Sequence, residues 1–371
     1  MIQNKTIFHG FALFSMLFGA GNVIFPLIIG QVTGHQVGSA CLGLILTAVL
    51  IPFVGLYSMM LYEGDQFSYF ERVGKTPAFI LMTLLLSLLG PLGAIPRCIT
   101  LSHATFKTLL PNTPLFVFSL LSSAFIFYLL TKKVNLLDLL GMILTPLLLL
   151  SIGLLIFKGS HGDSAVILTQ FTKKASFSYG LKEGYQTMDL LAAFFFSTLI
   201  CQKMKKEKSS PLYAIIIGAG LLALVYVAFA FIASSHSAEL RNVPSEELFN
   251  ALGYILLGEK ASILISLIVG LSCLTTALAL SSICADFLKN ELFSGKIHTS
   301  HALILTLVLS SLVSTLHFSG ITIFLSPVLK VCYPALLTLA FLNILYKRQG
   351  FKPIKTPIYL SLSIGFLFTL I

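Results

Sequence analysis

The chain has 371 residues, of which 56% are hydrophobic and only 10% charged, and its mean hydropathy is +0.95. A soluble domain carries about a quarter charged residues, so this composition excludes a water-soluble protein and predicts an all-α polytopic membrane protein. The formal charge of +10 would suit a nucleic-acid binder, but the basic residues collect in alternate short connections, as a membrane topology requires; nucleic acid is excluded and the lipid bilayer is the expected partner.

Apolar runs able to cross roughly 30 Å of hydrocarbon at about 1.5 Å per residue predict about eleven transmembrane helices. They lie near residues 7–30, 38–61, 77–96, 114–131, 136–157, 177–201, 211–233, 260–286, 301–316, 321–346 and 357–371. With the N-terminus cytoplasmic, the inner face receives Lys5, Arg72, Lys75, Lys132, Lys133, Lys203, Lys205, Lys206 and Lys208, then Lys289, Lys296, Lys347, Arg348, Lys352 and Lys355. The opposite face holds fewer, mostly Lys158, Lys173, Lys174 and Lys182 in the longer stretch 158–186.

The first run has little basic n-region and no A-x-A-like site, so it is expected to stay in the protein rather than act as a cleaved signal. It passes through Gly19-Ala20-Gly21-Asn22, three poor helix formers within four residues, and Pro26 cannot donate to the carbonyl of Asn22. Lipid tolerates an unwound backbone only inside protein or around a cavity, so a break here predicts a site. Glycines placed for close helix packing alone are the competing reading. The local G-x-G has no preceding strand, third glycine or ribose-binding acid, which rejects a dinucleotide site. Arg97, at the end of the third run, is expected to snorkel to the outer interface.

The sixth run is apolar without interruption only from Leu190 to Cys201, about 18 Å of helix, too short to cross alone. Phe177 to Asp189 must complete it, and that stretch contains Gly180, Gly184 and the acid Asp189, so a second discontinuous helix is predicted. Interrupted helices 1 and 6 are the pattern of five-plus-five inverted-repeat transporters, with the substrate between the two breaks. A carboxylate at the centre of a membrane helix costs at least about 2.5 to 3.5 kcal/mol, so Asp189 is expected to attract a cation or a substrate ammonium. The other reading is a cap for the following helix near the outer surface.

In the eighth run Ser272, Thr275 and Thr276 stand at i, i+3 and i+4 on one helical face, where their oxygens would converge as hard ligands for a monovalent cation. Return hydrogen bonds to carbonyls of their own helix are the alternative. Lys330 lies well inside the tenth run and is expected to pair with a buried acid. The six cysteines, Cys41, Cys98, Cys201, Cys273, Cys284 and Cys332, lie in or beside apolar runs without metal-ligand spacing, so neither disulfides nor zinc are expected. Without tryptophan, an interfacial belt rests on tyrosines such as Tyr57, Tyr62, Tyr128, Tyr213 and Tyr346. The scattered histidines and the absence of H-E-x-x-H or G-x-S-x-G predict that the chain is not an enzyme.

Five short blocks, in order, resemble the BrnQ-type branched-chain amino acid carriers of the amino acid, polyamine and organocation superfamily, over nearly the whole chain. They are Phe18-Gly19-Ala20-Gly21-Asn22 with Phe25-Pro26, Gly90-Pro91-Leu92 with Pro96-Arg97, Gly184-Tyr185 with Thr187-Met188-Asp189, Cys273-Leu274-Thr275-Thr276, and Pro327-Val328-Leu329 with Tyr333-Pro334. The resemblance implies a leucine-transporter-like fold in a single domain over 1–371. Its inverted repeats would span about 7–157 and 177–346, with a peripheral helix at 357–371. It implies sodium- or proton-driven import of leucine, isoleucine and valine across a bacterial inner membrane. Gly19, Gly21 and Asn22 would meet the substrate carboxylate, and Thr187 and Asp189 its ammonium. Ser15, Phe18, Ser272, Thr275 and Thr276 would hold sodium, a coupling ion; no resident cofactor is expected.

Three features depart from that pattern: a usual twelfth span has no counterpart here, Lys330 stands where a neutral residue is expected, and Ala279 and Asp286 replace the more usual glycine and glutamate. A charge beside the pathway at Lys330 would replace or repel a cation, whereas Ala279 and Asp286 are expected to affect packing. A same-fold transporter of another amino acid or small solute, and a non-transporting sensor or decayed carrier, are the competing expectations.

Overall fold

The computed structural model describes residues 2–132, 138–159, 166–207, 211–258 and 261–370. Lys133 and Lys208 lie outside the described residues, as do the side chains of Lys5, Lys205 and Lys206.

Each expected apolar run is a helix or a pair of helices. The first is α1 (Ile2–Leu17) and α2 (Ala20–Thr33), separated by Phe18 and Gly19. The second is α3 (Val37–Ile45) and α4 (Ile51–Met60), joined by a wide π-helical turn at Leu46–Leu50. A short α5 (Gln66–Phe70) leads to the third, α6 (Lys75–Leu89) and α7 (Ala94–Phe106). Then come α8 (Leu115–Thr131) and α9 (Thr145–Gly159). The sixth is α10 (Lys173–Gln186) and α11 (Asp189–Glu207), and the seventh α12 (Pro211–Ser235). After two short helices, α13 (Ser237–Leu240) and α14 (Leu248–Leu257), follow α15 (Ala261–Phe287), α16 (Thr299–Ser314), α17 (His317–Gln349) and α18 (Lys355–Leu370). Six stretches among the described residues are long and apolar enough to cross a membrane: Ala20–Met60, Lys75–Phe106, Leu139–Gly159, Leu212–Ser235, Ala261–Leu292 and His317–Gln349.

The third span corrects the reading of the sequence in one respect. Its apolar run points to an end near residue 96, but Gly90-Pro91-Leu92-Gly93 interrupts it and the helix resumes to Phe106. Pro91 lacks an N–H, and the chain folds back so tightly that a Cβ on Gly93 would strike the carbonyl oxygen of Leu88. Arg97 therefore belongs to the first turn of an interior half-helix, not to a membrane surface.

The packing is reciprocal. Between the second and sixth spans α3 lies along α10 and α4 along α11, and α12 lies along both halves of the first. In each case glycine lets backbones meet. A Cβ on Gly43 would come 2.7 Å from the amide nitrogen of Leu181, and one on Gly30 would come 2.7 Å from the Cβ of Ala233. Gly180 and Gly184, expected to loosen the sixth span, are helical and serve this contact: a Cβ on Gly184 would reach the Cβ of Thr47 at 3.0 Å. Thr47 Oγ1 in turn donates to the carbonyl of Leu181 at 3.1 Å.

Leu42, Leu50, Ile80, Leu121, Leu150, Ile263 and Ile323 are exposed, the outward apolar surface that lipid covers. Serines glue α8 to α16 through Ser119–Ser314 at 2.7 Å and Ser123–Ser311 at 2.8 Å. Basic residues stack on the span-end tyrosines: Arg72 on Tyr346 at 3.9 Å, Lys347 on Tyr62 at 4.3 Å and Lys132 on Tyr128 at 4.7 Å. Tyr62 is itself buried and donates to Asn343, so it braces the bundle instead of joining a belt. Ala279 is buried within α15, while Asp286 is exposed at its end.

Candidate functional site at the two helix breaks

The break in the first span is shorter than the sequence implied. Gly19 is extended, with φ −106° and ψ −161°, and only Phe18 and Gly19 leave the helix. Gly21 and Asn22 already belong to the first turn of α2, where the amide nitrogen of Gly19 donates to Asn22 Oδ1 at 3.4 Å. The geometry frees backbone carbonyls at the end of α1, because the Gly19 N–H turns back to the carbonyl of Leu17 at 2.8 Å and the Asn22 N–H goes to Gly19 at 3.1 Å. The carbonyls of Ser15, Met16 and Phe18 thus lose their partners four residues on.

Span eight supplies the replacements. Ser272 Oγ donates to the Phe18 carbonyl at 2.7 Å, Thr275 Oγ1 to Ser15 at 2.9 Å, and Thr276 Oγ1 to Met16 at 3.0 Å with Ser15 at 3.4 Å. Thr275 also makes the expected return bond to its own helix, at the Ser272 carbonyl, 2.9 Å away. Gly19 is needed for this approach, since a Cβ there would come 2.9 Å from Thr276 Oγ1. Ser15, Phe18, Ser272, Thr275 and Thr276, all expected at one cation, are therefore gathered in one buried cluster. The donor set is neutral oxygen throughout. A hard cation with ligands at roughly 2.3 to 2.6 Å sets neighbouring ligands about 3.4 Å apart, so accepting one takes a spreading of roughly 0.4 to 0.7 Å from the present hydroxyl–carbonyl spacings.

The break in the sixth span falls at Thr187 and Met188, one residue before the acid. Met188 has φ +64°, a left-handed conformation that a non-glycine residue adopts only when its surroundings enforce it. The two breaks touch: a Cβ on Gly21 would lie 3.3 Å from Thr187 Cα. Asp189 is 1% exposed, so the reading of a surface cap is set aside. Its carboxylate accepts both Oδ contacts from Asn22 Nδ2 at 2.8 Å and one from the Tyr226 hydroxyl at 2.8 Å. Asn22 Nδ2 also contacts the Tyr226 hydroxyl. Next to it, the Tyr333 hydroxyl accepts from the Leu190 amide at 3.1 Å. One carboxylate thus ties the first, sixth and seventh spans together.

Between the breaks lies a closed cavity of about 20 Å³, lined by Gly19, Gly21, Asn22, Thr187, Asp189 and Thr276, with Arg97 and Cys98 of α7 also on its wall. That volume holds about one water, so this is a closed arrangement of the site. All five residues expected to meet substrate line it. Arg97 does so too and is 2% exposed, which corrects the expectation that it snorkels outward. Lys330 is corrected in the opposite direction: Leu329, Cys332 and Tyr333 face inward, which turns Lys330 to an exposed position away from the cavity. The acid that feels its charge is Glu183 of α10.

Tyr226 escaped the sequence reading, and Tyr333 entered it only within a block of the resemblance, with no role at the site. A phenol inside an otherwise apolar span, whose buried hydroxyl needs a partner, was the signal available.

The fold has solved counterparts. Mhp1, a nucleobase-cation-symport-1 family transporter in a closed conformation with bromovinylhydantoin bound, superimposes with a TM-score of 0.65 over 98% of this chain and 90% of that chain at 15% identity. The Eremococcus coleocola manganese transporter, in complex with an aromatic bis-isothiourea compound, gives 0.62 over 98% and 85% at 13% identity. The fold is thus the leucine-transporter-like five-plus-five architecture with discontinuous first and sixth helices. By sequence, the chain is 32% identical over 372 residues to the branched-chain amino acid permease BrnQ of Bacillus subtilis, covering 95% of this chain and 83% of that protein. It is 29% identical over 392 residues to the permease BraB of the same organism, covering 97% and 83%. The family model described as "Branched-chain amino acid transport protein" matches residues 2–371, and the chain belongs to this family of membrane transport proteins, which are not enzymes.

Proposed function

We propose that the chain is a secondary active symporter that imports leucine, isoleucine and valine across the bacterial inner membrane, driven by sodium or protons. The observation that carries the reading is the cluster where carbonyls freed by the first break meet the hydroxyls of Ser272, Thr275 and Thr276. Opening the break to admit substrate moves those carbonyls, so ion binding and substrate binding share one mobile element. The ion then enters as a second transported species at Ser15, Phe18, Ser272, Thr275 and Thr276. Thr187 and Asp189 take the substrate ammonium, and the first turn of α2 at Gly19, Gly21 and Asn22 favours its carboxylate.

For the ammonium to reach Asp189, the contacts from Asn22 and Tyr226 must give way, which links substrate entry to separation of the first and seventh spans from the sixth. Alternating access follows as rocking between the repeats at about 7–157 and 177–346, with 357–371 peripheral and the N-terminus in the cytoplasm. Labelled-leucine uptake into proteoliposomes under separate sodium and proton gradients tests this. Accumulation above the external level under one of them is expected, and none under either overturns the reading. The two solved counterparts carry other solutes in their names, a nucleobase-type ligand and manganese, so a same-fold transporter of another solute is the second reading. A competition panel against leucine uptake separates the two.

A further inference from the structure

Arg97 is a buried charge to which the ion and substrate contacts described so far give no task. Its Nη1 donates to the Gln186 carbonyl at 2.8 Å and approaches Met188 Sδ at 3.6 Å, and its Nη2 meets Gln186 Oε1 at 3.4 Å. Its Nε is buried without a partner. The rings of Phe25 and Phe318 each lie 5.7 Å from the guanidinium and keep water away. Among the described residues no carboxylate stands within ion-pair distance of it, and Glu183, whose field reaches it, accepts its hydrogen bond from the Tyr179 hydroxyl. Amide oxygens satisfy N–H groups but do not neutralise a charge, and a buried cation without a counter-ion is costly. The cavity that Arg97 lines is also lined by Asp189, so one small enclosed space carries a buried cation and a buried anion.

We propose that Arg97 anchors the carboxylate of the transported amino acid while Asp189 draws the ammonium, so that the cavity wall is a charge pattern complementary to a zwitterion. The proposal rests on the transport reading and assigns the carboxylate a charged partner in α7 in addition to the first turn of α2. Arginine suits the role because its planar fork donates two parallel bonds to one carboxylate. The bond to the Gln186 carbonyl holds the fork at the C-terminal end of α10, beside the second break. The competing role is purely structural, a cap on α10, and it predicts no preference for a carboxylate.

The test is binding of leucine and of leucinamide, which keeps the ammonium and side chain but lacks the carboxylate, to the purified full chain, followed by thermal stabilisation and by competition against labelled leucine. The wild type is expected to prefer leucine by at least ~100-fold. Arg97→Gln is expected to weaken leucine by ~10- to 100-fold and leucinamide by no more than ~3-fold, so that the preference for leucine shrinks by at least ~3-fold. Arg97→Lys, which keeps the charge without the fork, is expected to weaken leucine more than leucinamide, so that the preference for leucine narrows without vanishing. A monodisperse Arg97→Gln protein that keeps the wild-type preference overturns the proposal while leaving transport intact, as does a wild type that binds both ligands equally. If Arg97→Gln does not fold, the outcome rests on Arg97→Lys: weakening of both ligands to the same degree overturns the proposal. A wild type that binds neither ligand instead fails the transport reading, and the proposal falls with it.

Discussion

Replacing Thr275 and Thr276 by valine, singly, removes a hydroxyl from the cluster at the first break while keeping side-chain size and branching. Thr276 loses the bonds to Met16 at 3.0 Å and Ser15 at 3.4 Å, and Thr275 those to Ser15 and Ser272 at 2.9 Å. Without an ion the loss is that of a neutral buried hydrogen bond, about 1 kcal/mol of stability. With an ion bound, the lost oxygen contacts a charge, and bonds to charged groups are worth about 1.5 to 3 kcal/mol, or roughly 10- to 150-fold in half-saturating sodium. The assay is the initial rate of leucine uptake in proteoliposomes as a function of sodium at fixed pH. Each variant is expected to need at least ~10-fold more sodium, with leucine affinity at saturating sodium within ~3-fold of wild type. If both variants keep the wild-type sodium dependence, the cluster is structural and the ion binds elsewhere. A wild type driven by protons and indifferent to sodium would likewise leave the cluster a purely structural role.

Three further outcomes follow from the geometry. Tyr226→Phe deletes the hydroxyl that donates to Asp189 at 2.8 Å and is expected to cost about 1.5 to 3 kcal/mol of stability, measured by chemical or thermal unfolding in detergent; an unchanged stability would mean that Asn22 alone satisfies the carboxylate. Gly184→Ala overpacks the contact between the second and sixth spans, with an expected loss of about 1 to 3 kcal/mol that Thr47→Ala partly restores in the double variant. Strict additivity of the two changes would show that the helices do not meet there. Lys330→Thr, at an exposed position off the cavity, is expected to leave sodium dependence and leucine uptake within about 2-fold of wild type, as surface changes away from a site do; a marked shift would return Lys330 to the pathway.

The sequence by itself determined the membrane class, the order of the apolar runs and the breaks of the first and sixth, but not that of the third. These depend on local chemistry: lipid leaves no partner for an unpaired backbone group, so glycine, asparagine and proline in a long apolar run, or a run too short to cross, mark a break. Spacing on a single helix also placed Ser272, Thr275 and Thr276 on one face, and resemblance paired them with Ser15 and Phe18. Only the tertiary structure decided what each buried polar group does. Gly184 packs against Thr47 instead of breaking a helix, Arg97 points inward because the third span is broken before it, and Lys330 points out because its helix neighbours face the core. Asp189 is bound by Asn22 and by Tyr226, residues 167 and 37 positions away along the chain. Such partners meet only when spans one, six and seven pack together, and no local pattern in any of the three encodes the contact.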